Sequence, residues 1–239
     1  MINAYIGGGA AGYFAAIAAA EKNPKIRHII FEATTKPMAK IKISGGGRCN
    51  VTHNCFHPPT LVTHYPRGGK ELLSVFTAQF QPKHMVDWLA RRGVELHSER
   101  DGRMFPVSNS SDSIIGCFEQ EVQRLGIEVR SRCRVSSIAV ETVVASHEEA
   151  ESTSTTSPNE FVLTVTNGVT RATEHVRVNQ LLLATGSFSA SYELARSLGH
   201  SIVPPVPSLF TFNCHTNAGS NAGSNAGSNA GSNAGSNAG

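Results

Sequence analysis

The first 32 residues constrain this chain more than any other stretch. An apolar run, Ile2-Asn3-Ala4-Tyr5-Ile6, leads into Gly7-Gly8-Gly9-Ala10-Ala11-Gly12. An alanine-rich stretch from Phe14 to Ala20 follows, and a second apolar run, Ile29-Ile30-Phe31, ends on Glu32. The order is strand, glycine-rich turn, helix, strand, acid. A Gly-x-Gly-x-x-Gly turn in that setting predicts a βαβ unit that binds a dinucleotide. Gly7 would turn the chain tightly out of the strand, Gly9 would let a pyrophosphate approach the backbone, and Gly12 would let helix and strand pack closely. The helix start at Ala10 and Ala11 would offer unpaired N–H groups and a positive dipole end to the phosphates. Glu32 would accept hydrogen bonds from a ribose, which favours FAD or NAD over NADP. A merely structural glycine turn is the competing reading, and the flanking strand, helix and acid weigh against it.

Composition bounds the rest. The last 23 of the 239 residues, from Asn217, repeat Asn-Ala-Gly-Ser with a period of four and carry no charge. Such a stretch cannot bury enough apolar surface to offset chain entropy, so a disordered tail is expected over 213–239. The remainder suits one core over residues 1–212. The net charge of +3, with no long basic run, gives a nucleic-acid partner little support. Five cysteines at an odd count and no basic leader suggest reduced thiols in a cytoplasmic protein. No apolar run approaches 18 residues, so no membrane-spanning helix is expected.

After Glu32 comes a basic, irregular stretch from Ala33 to Ile43, then Ser44-Gly45-Gly46-Gly47-Arg48-Cys49-Asn50. Three consecutive glycines can take positive φ and press against a flat or charged ligand, their N–H groups could form an anion nest, and Arg48 adds a fixed positive fork. A flexible surface loop is the alternative. Cys49, His53, Cys55 and His57 are all possible zinc ligands, but their spacing matches none of the usual pairs, so no metal is expected. Helix patterns run from Lys70 to Phe80 and Lys83 to Arg92, with Trp88 a core residue and Arg91-Arg92 suited to a helix C-terminus. Val94–His97 and Arg103–Phe105 flank an Asp101-Gly102 turn and suggest a hairpin. A helix from Ser111 to Leu125, starting at Ser111 or Ser113, and a strand at Ile127-Glu128-Val129 are expected to complete the third parallel strand of the sheet.

From Arg134 the apolar period changes to two. A strand from Val135 toward Val144, a polar loop over 146–160, alternation at Phe161, Leu163 and Val165, an Asn167-Gly168 turn and a strand from Val169 predict a small antiparallel meander over about 134–178. Arg130, Arg132 and Arg134 alternate as a solvated strand face. Leu181-Leu182-Leu183-Ala184-Thr185-Gly186 reads as a buried strand ending in a glycine turn, followed by a helix from Tyr192 to Leu198.

Ile43 to Thr52 resembles the signature of the YhiN/BaiN-type flavoproteins, bacterial-type FAD-dependent oxidoreductases sometimes labelled aminoacetone-oxidase-like. Tyr65-Pro66-Arg67-Gly68, Glu99 to Ser108, Leu194 to His200 and Val203 to Leu209 resemble the same family. The resemblance implies an α/β fold: a Rossmann-like FAD-binding domain of the glutathione-reductase type, its parallel sheet carrying an inserted antiparallel meander. It implies FAD held by Gly7, Gly9, Ala10, Ala11, Gly12, Glu32, Lys40, Ser44, Gly45, Gly46, Gly47, Arg48, Cys49 and Asn50. Val135 would meet the adenine through its backbone, and Ala184, Thr185 and Gly186 would return the chain beneath the cofactor. The family usually has Gly-Arg before the lysine; here Met38-Ala39 stand there, so only Lys40 carries over.

The expected activity is an FAD-dependent oxidoreductase that passes hydride or electrons between NAD(P)H or a small organic substrate and an acceptor. No side chain stands out by spacing as an acid or base. Two alternatives stay open: a truncated, non-catalytic dinucleotide-binding fragment, since family members continue with a further lobe, and a flavin-linked tRNA-modifying protein.

Overall fold

The computed structural model describes residues 1–142 and 159–206. The chain divides into two units, Met1–Ile202 and Val203–Gly239, and the elements below belong to the first. In chain order they are β1 (Ile2–Ile6), α1 (Ala10–Lys22), β2 (Arg27–Phe31), α2 (Ala39–Ile43), β3 (Thr52–His53), α3 (Pro58–Leu61), α4 (Gly69–Ala78) and α5 (Pro82–Ala90). Then come β4 (Leu96–Ser98), β5 (Arg103–Pro106), α6 (Ser111–Arg124), β6 (Glu128–Arg130), β7 (Cys133–Thr142), β8 (Asn159–Asn167), β9 (Thr173–Val178), β10 (Gln180–Leu183) and α7 (Ala190–Ser197).

Four strands form a parallel sheet in the order β10-β1-β2-β6, and β7-β8-β9 form an antiparallel meander. Alternate residues of a strand face opposite sides, and here both sides are covered. Tyr5 and Ile30 pack into a core with Tyr13, Ile17, Trp88, Leu89 and Phe118 of the helices. Ala4, Ile6, Ile29 and Phe31 pack into a second core with Val135, Ile138, Leu163, Val165 and Val178 of the meander. The layers are therefore helices, parallel sheet, meander. The small side chains of α1 explain its closeness: Gly12, Ala16 and Ala20 are all buried on the sheet side.

Several elements differ from the sequence expectation. Within the stretch read as irregular, Ala39–Ile43 is one helical turn, opened by Met38 at φ 57 and closed over buried Met38 and Ile41. The cap of α6 is Ser110, whose hydroxyl accepts the Asp112 N–H at 3.2 Å; neither Ser111 nor Ser113 plays that part. Ser111 is instead fully buried and donates to the Lys42 carbonyl at 3.0 Å.

The three arginines do not share a strand. Arg130 ends β6 and pairs with Glu128 and Glu174, Arg132 sits in a left-handed turn at φ 57, and Arg134 lies on β7. The strand expected at Val169 begins at Thr173, because the Asn167 side chain accepts the N–H groups of Val169 and Thr170 and holds the chain in a wider turn. Of the polar loop expected over 146–160, Asn159 and Glu160 already belong to β8, and 146–158 lie outside the described residues. Finally, β10 is an edge strand and Leu182 is 40 % exposed, so the apolar run is only partly buried.

Arg92 does more than end α5. It donates to the Trp88 carbonyl, stacks 3.7 Å from the Trp88 ring centroid, and pairs with Glu21 and Glu121. The hydrogen bond from Arg124 holds the Glu121 carboxyl below its ordinary range, against the upward push of burial, and Arg92 adds to the lowering. A carboxyl whose folded pKa is depressed contributes stability that is full above its ordinary pKa and is lost as pH falls through the folded value. Glu121→Gln is therefore expected to cost about 2 kcal/mol at neutral pH, the scale of a hydrogen bond to a charged group. Urea unfolding across a pH series should show the gap to the parent closing on the acid side of the ordinary carboxyl range.

Candidate functional site

The parallel register fixes a crevice at the carboxyl ends of the strands. Ile6 aligns with both Phe31 and Leu183, so Gly7, Glu32 and Ala184 emerge side by side. The Gly7 N–H donates to the Phe31 carbonyl at 2.8 Å, and the Ala184 N–H to the Ile6 carbonyl at 2.8 Å. In open α/β sheets this is where ligands bind.

The glycines of the turn meet different surroundings. Gly7 has φ 116, and a Cβ there would run into the Ala184 carbonyl. A Cβ on Gly12 would run into the Gly7 carbonyl oxygen. At Gly9, a Cβ would meet nothing within 4 Å. Helix α1 starts at Ala10 with Gly9 as its cap, with no capping side chain and no acid in its first turn. The leading amides that a Ser or Asp cap would satisfy in most helices therefore have no side-chain partner here.

Glu32 sits over this turn. One carboxylate oxygen accepts the Gly8 N–H at 2.8 Å and the other the Thr34 N–H at 2.7 Å. A carboxylate has about four lone-pair sites, so each oxygen keeps one for a sugar hydroxyl. Gly8 was missed by the motif, which leaves its position unspecified. Its N–H orients the acid, its carbonyl accepts the Met38 N–H at 2.7 Å, and a Cβ on it would lie 2.9 Å from the Glu32 Cβ.

The second glycine segment follows α2. Gly45, Gly46 and Gly47 all have positive φ, at 57, 71 and 88. The amides that follow turn inward: both Arg48 and Cys49 donate to the Ser44 carbonyl. Those two are consumed within the loop and do not contribute to an anion nest. Cys49 is buried, and that burial pushes its thiol up. Asn50 is exposed. Lys40 reaches across from α2 to donate to the Ser187 hydroxyl at 3.1 Å, and its Nζ lies beside Gly186. Lys40, Gly186 and Ser187 thus link the segment after β2 to the turn after β10.

Val135 is buried on β7 next to a register shift between Val135 and Ser137. Its strand is tied to the acid's segment by the bonds Cys133 N–H to Glu32 carbonyl, 2.8 Å, and Arg132 N–H to Thr34 carbonyl, 2.9 Å. Thr185 donates its hydroxyl to Ser191 at the start of α7. Among the described residues no group of three or more His, Cys, Asp and Glu side chains is placed to hold a metal; His53 is instead bonded to the Asp101 carbonyl at 2.9 Å. No described helix is long and apolar enough to cross a membrane. Ser187 and Ser111 were invisible to the sequence reading because their partners, Lys40 and Lys42, lie 147 and 69 residues away.

A layered α/β domain with this turn, acid and meander is a Rossmann-like domain of the FAD-binding type. The family described as HI0933-like protein Rossmann domain matches residues 3–231, and the chain belongs to that family, which is the YhiN/BaiN-type group its signature resembles. The 3-dehydro-bile acid delta(4,6)-reductase of Clostridium scindens is 28 % identical over 212 residues, covering 85 % of this chain and 45 % of that protein. The ribosomal RNA dihydrouridine synthase of Escherichia coli is 26 % identical over 218 residues, covering 88 % and 47 %. The chain thus spans about half the length of the curated relatives it matches. Among solved structures, Thermovibrio ammonificans THI4 aligns with a TM-score of 0.54 at 12 % identity, over 84 % of this chain and 63 % of that one. E. coli quinol fumarate reductase FrdA aligns with a TM-score of 0.53 at 19 % identity, over 78 % and 33 %. At such identities the likeness is one of fold.

The contrast between two glycines is testable. Gly12→Ala should destabilise the domain by about 2 kcal/mol or more, because the new carbon overlaps backbone. Gly9→Ala should cost no more than about 1 kcal/mol of unfolding free energy, the loss of a glycine helix cap, yet weaken dinucleotide binding, because its methyl would stand in open space at the helix start. Denaturant titration together with fluorescence titration of added FAD or NAD measures both.

Proposed function

We propose that this chain holds FAD as part of an oxidoreductase that moves hydride or electrons between NAD(P)H, or a small organic substrate, and an acceptor. The observation that carries this reading is the uncapped start of α1, open at Gly9, facing a Glu32 carboxylate that keeps two lone pairs. A diphosphate fits the first and a ribose diol the second. The remaining expected contacts, at Ala10, Ala11, Lys40, Ser44 to Asn50, Val135 and Ala184 to Gly186, belong to the same proposal. Bound flavin would supply two-electron redox chemistry; the protein's share is to bind it, orient it and set the electrostatics around it.

The names of the two relatives both describe reduction of a carbon–carbon double bond, one in a bile acid and one in a uracil ring. That favours a reductase that delivers hydride to an electron-poor alkene. An RNA substrate is the second reading, favoured by relatives named for ribosomal RNA; the net charge of +3 gives it little electrostatic support.

Purified protein should be yellow and release FAD on denaturation; protein that stays colourless after incubation with FAD overturns the proposal. NAD(P)H oxidation above that of free FAD separates an oxidoreductase from a domain that only holds the cofactor. Retention of ribosomal RNA that weakens with salt would favour the second reading. Glu32→Ala is expected to weaken FAD binding roughly 10- to 100-fold, the scale of a charge-assisted hydrogen bond.

A further inference from the structure

Arg48 leaves the second glycine segment on a short chain of contacts that no dinucleotide motif contains. Its guanidinium lies 4.0 Å from the centroid of the Phe105 ring, and its Nη1 donates to a Glu99 carboxylate oxygen at 2.6 Å. The other Glu99 oxygen accepts from Arg103 at 3.1 Å, and Arg103 lies 5.4 Å from the same ring. Phe105 is fully buried, and its edge also abuts the glycine segment: a Cβ on Gly45 would fall 2.8 Å from Phe105 Cε1. One aromatic ring thus underlies both the start of the loop and its only cation.

The hairpin that carries these side chains is itself docked on the segment leaving the loop. Thr52 pairs with Met104 and His53 with Arg103, and the Val51 N–H donates to the Met104 carbonyl at 2.9 Å. Glu99 therefore reaches Arg48 from a rigid support. A guanidinium has five N–H donors in a fixed plane. Glu99 accepts from one of the Arg48 nitrogens, while the ring fixes the plane, so donors remain for another anion. Arg48 is only half-buried, which leaves that side accessible.

From this arrangement we infer that Glu99 and Phe105 are positioning residues for Arg48, which they hold flat and aimed so that its free donors meet an anionic group of the bound nucleotide, its diphosphate. The inference rests on the proposal that this chain binds FAD. It goes beyond it by assigning a role to a hairpin outside the dinucleotide fold's own turn and acid. An opposite role is open to Glu99 on charge alone. If it merely neutralised Arg48, its removal would free the cation and tighten binding.

The test is FAD and ADP titration of the parent, Glu99→Gln, Arg48→Ala and the double variant, each beside its ligand-free melting curve. ADP carries the diphosphate without the flavin. Each single variant is expected to weaken both ligands about tenfold, with a shallower salt dependence, and the double variant to be no weaker than Arg48→Ala alone. Glu99→Asp, which keeps the charge on a shorter arm, should recover part of the loss. Phe105→Leu, which removes the stacking surface and keeps an apolar filling, should weaken binding in the same direction. Glu99→Gln that binds as the parent does, or more tightly, overturns the inference. So does a loss confined to the melting temperature, or a double variant whose losses simply add. A parent chain that takes up neither ligand overturns the underlying proposal instead.

Discussion

The whole site depends on one close approach, that of Gly12 to the carbonyl of Gly7. No side chain larger than hydrogen fits between them, and the Ala184 side chain stands just behind. This contact sets the first turn of α1 directly on the carboxyl end of β1. It brings the leading amides of the helix, the acid at the end of β2 and the turn after β10 within one crevice. A helix held a methyl group further off would splay these parts, because backbone packed against backbone has no rotamer to adjust.

From that contact the structure grows outward through hydrogen bonds that tie each crevice wall to its neighbour. Gly8 orients Glu32 through its N–H and the start of α2 through its carbonyl. Glu32 is bonded through its own backbone to both Arg130 and Cys133, so the acid's position is shared by the parallel sheet and the meander. Ser111 fixes the end of α2 from below, and Phe105 lies under the glycine segment. The crevice is thus shaped by several separate stretches of chain, and its geometry depends on the packing of all three layers.

The parts of this design that depend on local chemistry were legible in the sequence. The βαβ unit, the helices with apolar faces and the Asp101-Gly102 hairpin follow from periodicity and turn residues, which act over a few positions. What was not legible depends on partners far along the chain. Nothing near Ser111 says that it will be buried against Lys42 while Ser110 takes the cap. Nothing near Arg48 says that it will stack on Phe105 and pair with Glu99, 51 residues on. The wider turn at Asn167 was missed for another reason. An Asn-Gly pair signals a two-residue hairpin, but here the Asn167 side chain captures two amides ahead of it and competes with that turn.

The backbone around the second glycine segment shows what this arrangement costs. Besides the glycines, Met38 and Cys49 take left-handed φ values of 57 and 64, Met38 at the start of α2 and Cys49 just past the three glycines. A side chain in that region costs about 1 kcal/mol or more. Both residues are buried in the same helical core, and both have their amides bonded, Met38 to Gly8 and Cys49 to Ser44. Strain of this kind persists only where the surroundings over-determine the conformation, so α2 and the glycine segment are held in place together, at Met38 and at Cys49, and do not simply rest on the surface. The same burial bears on chemistry. A thiol beside a flavin-type crevice invites a redox-active reading, but thiol–disulfide reactions need the thiolate. Burial pushes the Cys49 thiol up, with the Ser44 hydrogen bond opposing only in part, which disfavours the thiolate. Cys49 therefore serves by its packing: it anchors the end of the glycine loop in the helical core.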